Sequence, residues 1–375
     1  MKKYSISVVL TAVCLILSIA IFSSCGSYAP MRYDPEQDYG LYWYGEDGEI
    51  ADATRASGNL GSEYFDPAKP TVLYFHGWKP EAANDKDTKL EDIRTPAVRP
   101  NDVQSFDPVA FYKEAGYNVG AMAWYRGAAS LDKLFGYIWT DLEWDGASQG
   151  YSLAFAFASE IAAVFGDSYD QPITFIGHSY GTQAAVATNY LLAKYVDKGL
   201  LSNPNLIAQR MSLADPYIGD LAITSKEVLQ QNIYGTQEKI DGRLSAALFA
   251  DCLEYLNTQH NVTAELYCGM PLAYDQYASK DKALHESISE KLQQNSAWFL
   301  MQALQDTYGS VGDIHNITRD YMLLSLQKQV YTQDGAPVPG LSTPTAQLRD
   351  CVGKAYILQE CDMWDVASTA VIVRN

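Results

Sequence analysis

Pro172-Ile173-Thr174-Phe175-Ile176-Gly177-His178-Ser179-Tyr180-Gly181-Thr182-Gln183-Ala184-Ala185-Val186-Ala187 is the stretch that decides how the chain is read. It opens on an apolar, β-prone run and closes on residues that favour helix, with Gly-His-Ser-Tyr-Gly between them. Strand, sharp turn and helix in immediate succession lift the serine hydroxyl above the edge of a sheet. They also leave backbone N–H groups of the first helical turn pointing at it. Side chains at Gly177 or Gly181 are expected to collide with the neighbouring strand or helix, and glycine tolerates the backbone angles of such a turn.

Other short apolar runs surround this unit. Thr71–Phe75 ends in His76-Gly77-Trp78, Tyr117–Ala123 is followed by Trp124-Tyr125-Arg126-Gly127, and Arg210–Ala214 is closed by Asp215-Pro216. Between them lie helical patterns, at Val109–Ala115, at Ser148–Phe165 with Leu153, Phe157, Ile161 and Val164 in register, and at 182–196 with Gly199 as its cap. Short strands separated by helices predict a buried, mostly parallel sheet with crossover helices. Further on, Ser245–Asn257 and Asp281–Thr307 read as helices, with a strand near Val262–Tyr267, and a helix spans Ile317–Leu326. Two strand-like runs close the chain, at Ala355–Leu358 and Thr369–Val373, and an edge strand is expected around Gly40–Tyr44. The charged, proline-containing stretch from Lys79 to Asp107 reads as a solvated loop.

A nucleophilic serine needs a base, and the base needs an acid to fix its tautomer. In an α/β-hydrolase sheet these occur in the order serine, acid, histidine, each at or after the carboxyl end of a strand. Ser179, Asp215 and His315 fit that order. Asp215 directly follows a strand-like run, with Asp251 and Asp275 as rivals. With five histidines in the chain the base is constrained. His76 belongs to the oxyanion region, and His178, beside the nucleophile, is expected to point away from it. Of the remaining three, His315 sits in a glycine-containing loop just before a helix, and His285 and His260 are its rivals. The oxyanion donors are expected to be the N–H groups of Tyr180, just after the nucleophile, and Trp78, in the loop after an early strand.

Four motifs in one order carry a resemblance. Phe75–Trp78 (FHGW), Ala123–Ala128 (AWYRGA), Ile173–Ala185 (ITFIGHSYGTQAA) and Ser212–Pro216 (SLADP) resemble the catalytic domain of the pancreatic-lipase-like branch of α/β-hydrolases, over roughly Thr71 to Tyr217. The resemblance implies an α/β-hydrolase fold, a mostly parallel central sheet with helices on both faces. It implies an acid after the strand that follows the elbow, which favours Asp215, and an oxyanion donor at Trp78. No cofactor is implied, and the cysteines, with no CxxC spacing and no histidine cluster near them, do not read as metal ligands. The segment between Asp215 and His315 departs from that pattern, having no disulfide-bounded lid, and a lipid-binding β-sandwich is not recognisable. Trp78, Trp124, Tyr125, Tyr180 and Tyr217 are candidates to line an apolar acyl pocket.

Outside this core, Lys2 and Lys3 precede an apolar stretch from Ser7 to Ile21 and then Cys25, in the manner of a signal peptide with a lipobox. Cleavage before Cys25 and its acylation would leave 351 residues tethered to a membrane of the cell envelope, and losing Lys2 and Lys3 would take the formal charge from -18 to -20. So acidic a body repels nucleic acid and anionic surfaces. Cys252, Cys268, Cys351 and Cys361 form an even set, read as two disulfides between near neighbours. The expected organisation is a signal peptide at 1–24, a tether and lead-in at 25–69, and a catalytic domain at 70–330. A helical cap or insertion lies about 218–311, and residues 331–375 form a C-terminal extension. The chemistry expected is hydrolysis of carboxylic esters, of lipid or other apolar acyl groups. A serine peptidase or amidase and a non-catalytic binding protein on the same fold are the alternatives.

Overall fold

The computed structural model describes residues 40–45, 50–52, 63–77, 93–94, 107–124, 138–139, 143–144, 147–148, 152–217, 245–269, 282–301, 311–358 and 372–374. The signal and lipobox, including Cys25, lie outside these residues, as do Trp78, Tyr125, Asp275 and Cys361.

A sheet forms where the apolar runs lie. The first part of the chain gives β1 (Gly40–Tyr44), β2 (Ile50–Asp52), β3 (Thr71–Phe75), α1 (Pro108–Glu114) and β4 (Asn118–Ala123). After the small hairpin of β5 (Glu143–Trp144) and β6 (Ala147–Ser148) come α2 (Leu153–Phe165), β7 (Ile173–His178), α3 (Tyr180–Asp197) and β8 (Arg210–Ala214). The chain continues with α4 (Ser245–His260), β9 (Thr263–Cys268), α5 (Lys282–Gln294), β10 (Ala297–Leu300) and α6 (Val311–Leu324). It closes with β11 (Lys328–Tyr331), β12 (Pro337–Val338), α7 (Thr345–Arg349), β13 (Ala355–Ile357) and β14 (Ile372–Arg374).

Nine strands make one sheet in the order β13-β10-β9-β8-β7-β3-β4-β1-β2. From β4 through β13 neighbouring strands are parallel, and β1 and β2 close one edge antiparallel. β3 lies between β4 and β7, so the strand order reverses there, and the ends of such strands at a reversal open a crevice for ligands. The alternating side chains of these strands enter two apolar layers. One holds Phe75, Phe175, Met211 and Leu266 beneath α2, α3 and α4. The other holds Tyr74, Ile176, Tyr267 and Phe299 beneath α1 and α6. Being covered on both faces is why the strands read as continuous apolar runs rather than alternating ones. This is an α/β-hydrolase fold.

Local chemistry sets the helix limits. Asp107 caps α1 by accepting from the N–H groups of Val109 and Ala110 at 2.9 and 3.1 Å, with Pro108 already at helical φ. Gly199, at φ 67°, ends α3 with N–H bonds from Gly199 to the Val196 carbonyl and from Leu200 to the Tyr195 carbonyl.

Two expectations are corrected. The helix foreseen over 281–307 stops at Gln294. Asn295 and Ser296 turn their side chains back onto the Lys291 and Leu292 carbonyls, and Ala297–Leu300 enters the sheet as β10. The segment 218–311 thus supplies two sheet strands, β9 and β10, together with α4 and α5. The expected Cys252–Cys268 disulfide is not formed. Cys252 on α4 and Cys268 at the end of β9 are buried thiols packed as small apolar groups, and a bridge needs facing Cβ vectors that an even cysteine count does not supply. Cys351 is likewise a buried thiol, and its expected partner Cys361 lies outside the described residues.

The C-terminal segment is tied to the sheet by a buried charge. Arg210 donates to Glu265 Oε1 through Nε at 2.8 Å and Nη2 at 2.6 Å, and its remaining N–H groups reach the carbonyls of Gly340, Leu341 and Thr343. Ser212 and Tyr267 also donate to the Glu265 carboxylate. Burial works against the Arg210 charge, but Glu265, together with Tyr112 and Tyr267, outweighs it and raises the guanidinium pKa. Every strong donor in this buried set therefore has an acceptor, which is the condition under which such a pair is tolerated.

Candidate active site

Ser179 is the residue between β7 and α3, at φ 56° and ψ -123°, a region that side chains resist at a cost on the order of 1–3 kcal/mol. Its surroundings hold it there. The Ser179 N–H donates to the Ala214 carbonyl at 3.0 Å. The Ser179 carbonyl accepts from Thr182 N–H at 3.1 Å, Thr182 Oγ1 at 2.6 Å and Tyr217 N–H at 3.3 Å.

The glycines of the turn meet the steric demand read from the sequence. A Cβ on Gly177 would lie 2.8 Å from Thr182 Cα, and one on Gly181 would lie 2.0 Å from the Phe75 carbonyl oxygen. The start of α3 is thereby seated on the end of β3. Two residues on from that strand end, a Cβ on Gly77 would lie 2.8 Å from Ser179 Cβ and 3.4 Å from its Oγ. Gly77 therefore keeps open the space beside the hydroxyl.

Asp215 follows β8 and is 1% exposed. Its N–H donates to the Tyr267 carbonyl at 2.7 Å, its Oδ1 accepts from Gly269 N–H at 3.0 Å, and its Oδ2 accepts from His315 Nδ1 at 2.5 Å. The structure thus brings together two side chains 100 positions apart, at the strand edge that carries Ser179. With Nδ1 occupied by the carboxylate, Nε2 is the nitrogen of His315 left to exchange a proton. His315 lies inside α6, near its start, rather than in a loop ahead of a helix as the sequence suggested.

The rivals lie elsewhere. His260 Nε2 is 3.3 Å from Asp197, at the far end of α3 from Ser179, and the 18 residues of that helix span roughly 27 Å. Asp251 pairs with Lys291 on the outer faces of α4 and α5. His285 lies on α5, its side chain outside the described residues, and Asp275 is outside them too.

Two histidines brace the site. His178 places its ring against that of His315, with centroids 4.9 Å apart, and its Nε2 is 3.4 Å from the His315 carbonyl. This contact was not visible in a sequence reading that only turned His178 away from the nucleophile. His76 is fully buried, and its Nε2 accepts from Trp124 N–H at 3.2 Å, so its Nδ1 carries the proton and donates to the Gly77 carbonyl at 2.8 Å. The Trp124 indole donates in turn to the His76 carbonyl at 3.0 Å. The His76-Gly77 dipeptide at a strand end was the available signal for this brace.

Tyr180, at the first position of α3, packs on Tyr217 with ring centroids 4.8 Å apart. Burial, and then the neighbouring Tyr217, push the Tyr180 hydroxyl well above the usual phenol range, so it stays neutral. Gln183 ties this corner together, accepting from the Trp139 indole at 3.0 Å and donating to the Tyr217 carbonyl at 2.8 Å. Of the aromatic residues expected at an acyl pocket, Trp124 is core, and Tyr180 and Tyr217 form this tilted pair. No group of three or more metal-ligating side chains occurs among the described residues.

Against known proteins, no family model matches the chain and no curated protein matches it. Among solved structures it is similar to Porphyromonas gingivalis dipeptidyl peptidase 4, at 14% identity over 78% of this chain and 36% of that one, with a TM-score of 0.32. It is also similar to the LpqC poly(3-hydroxybutyrate) depolymerase from Bordetella parapertussis, at 16% identity over 76% and 86% of the two chains, with a TM-score of 0.34. A third is esterase B from Lactobacillus rhamnosis inhibited by a tributyrin phosphonate, at 12% identity over 86% and 96%, with a TM-score of 0.30. The chain spans about a third of the length of the peptidase. Likenesses this distant carry no argument about the reaction.

Replacing Gly77 by alanine is expected to abolish reactivity at Ser179 while leaving the sheet intact, because the new methyl group occupies the space beside the hydroxyl. Circular dichroism with serine-directed labelling checks this, and a fully reactive Gly77→Ala protein would contradict the placement.

Proposed function

We propose that the protein is a serine hydrolase that cleaves carboxylic esters of lipid or other apolar acyl groups. The observation that carries the reading is the 2.5 Å hydrogen bond between His315 Nδ1 and the buried Asp215 carboxylate, beside a serine held at a strained strand-to-helix turn. In this reading Ser179 Oγ attacks the ester carbonyl and gives its proton to His315 Nε2. Asp215 fixes the tautomer and stabilises the imidazolium. The tetrahedral intermediate collapses to an acyl-Ser179 ester as His315 protonates the departing alcohol, and a water activated by His315 then releases the acid.

The oxyanion is assigned to the N–H groups of Tyr180 and Trp78. Tyr180 opens α3, where first-turn N–H groups have no acceptor within the helix itself. Trp78 lies outside the described residues and is assigned from the pancreatic-lipase-like motif Phe75–Trp78. An acid after the strand following the elbow agrees with the pancreatic-lipase-like pattern, and the packed rings of Tyr180 and Tyr217 favour an apolar acyl group. We further propose that Cys25 carries a lipid that tethers the body to a membrane of the cell envelope, outside the cytoplasm. No cofactor enters the mechanism.

The test is turnover of p-nitrophenyl esters from acetyl to dodecanoyl beside peptide anilides. Ester cleavage is expected to exceed anilide cleavage. Ser179→Ala and His315→Ala are each expected to lower kcat by about 10^4-fold or more, and Asp215→Asn by about 10^4-fold. Near-normal activity of His315→Ala or Asp215→Asn would remove that residue from the set, and faster anilide cleavage would make the protein an amidase. For the anchor, metabolic labelling with palmitate and membrane association should both be lost in Cys25→Ala, and retention of both would sink the lipid assignment.

A further inference from the structure

The histidine of the site rides on α6 and the acid follows β8, yet what sets their separation is a third element, the end of β9. Gly269 follows Cys268, the last residue of that strand, and its N–H donates to Asp215 Oδ1 at 3.0 Å. The same residue lies under the first turns of α6. A Cβ built on Gly269 would be 1.9 Å from Thr318 Oγ1 and 3.2 Å from both Thr318 Cβ and Ile314 Cγ2. Ile314 and Thr318 flank His315, one residue before it and three after. Gly269 has no positive φ, so no backbone strain demands glycine there, and what the position requires is space.

Thr318 does not yield that space cheaply. It is β-branched and fully buried, and its hydroxyl donates to the Ile314 carbonyl at 2.8 Å. A side chain at 269 would have to push the turn bearing His315 away by about an ångström or more to restore ordinary contact. A displacement of that size takes the Asp215–His315 bond out of hydrogen-bonding range.

We propose that Gly269 is the positioning residue of the site. It fixes Asp215 through its N–H and sets the distance of closest approach of His315 through its missing side chain. The proposal rests on Ser179, His315 and Asp215 acting as a catalytic set, and it concerns how that set is held rather than what it cleaves.

The experiment combines ester kinetics with proton NMR, reading the far-downfield resonance of the His315–Asp215 hydrogen bond in Gly269→Ala, Thr318→Ala and Thr318→Ser, singly and combined. Gly269→Ala is expected to lower kcat by about 100-fold with KM changed less than about twofold, and to lose the resonance. Adding Thr318→Ala, which removes the obstructing hydroxyl, restores kcat and resonance together. Adding Thr318→Ser, which keeps that hydroxyl, restores neither.

Full kcat with an intact resonance in Gly269→Ala overturns the proposal. If Gly269→Ala does not fold, the combination with Thr318→Ala is expected to fold and react, and its failure to do so equally overturns the proposal. A wild-type protein that shows the resonance but cleaves no ester would end the hydrolase reading, while the NMR comparison would still decide the role of Gly269.

Discussion

A backbone that cannot open a gap between a strand and a helix is the constraint on which this site depends. α3 begins with its second residue, Gly181, pressed onto the Phe75 and His76 carbonyls, closer than any side chain permits. That contact forces the chain between β7 and α3 into a single turn, and the turn puts Ser179 at positive φ. The cost is met by hydrogen bonds that converge on the serine's own backbone, from Thr182 and Tyr217 and to Ala214. The last of these links the Ser179 turn to the strand that precedes Asp215, so strain at one residue and placement of the next are one problem.

The rest of the site follows from the same kind of close approach. Four glycines, Gly77, Gly177, Gly181 and Gly269, each stand where a Cβ would strike a neighbour, and each brings a separate element to the sheet edge. Polar side chains then fix what the glycines admit. His76 holds the Gly77 carbonyl, Gln183 joins Trp139 to Tyr217, and His178 lies on His315. Toward the other end of the strands, the Arg210–Glu265 pair binds the 340–343 segment. That segment grips the end of α6 through Ser325, whose hydroxyl accepts from Leu341 N–H at 2.9 Å. The helix bearing His315 is thus held at one end by Asp215 and Gly269 at the strand ends and at the other by the 340–343 segment.

What could be read from the sequence was what is local. Ile173–Ala187 declares strand, turn and helix within one stretch, so Ser179 and its glycines were legible. Asp215-Pro216 was legible because proline ends the strand before it. His315 was reached by elimination among few histidines, and its position inside α6 was missed because the apolar periodicity of that helix becomes visible only from Ile317. Ala297–Leu300 was read as helix because a four-residue apolar run following a helical pattern carries no period of its own, and only pairing between β9 and β13 makes it a strand. The cysteines were read as bridges from their number alone, which says nothing about where two Cβ atoms point. The contacts of His178 and Gly269 arise between elements more than forty residues apart, and no local pattern announces them.

The central claim is that Ser179 is a nucleophile activated by the pair opposite it. Incubation with a fluorophosphonate, followed by intact-mass measurement and peptide mapping, tests it most directly. We expect one phosphonyl adduct per chain, on Ser179, formed at a rate that falls sharply in His315→Ala although the serine is still present. A wild-type protein that takes up no adduct, or takes it up on another residue, would contradict the claim.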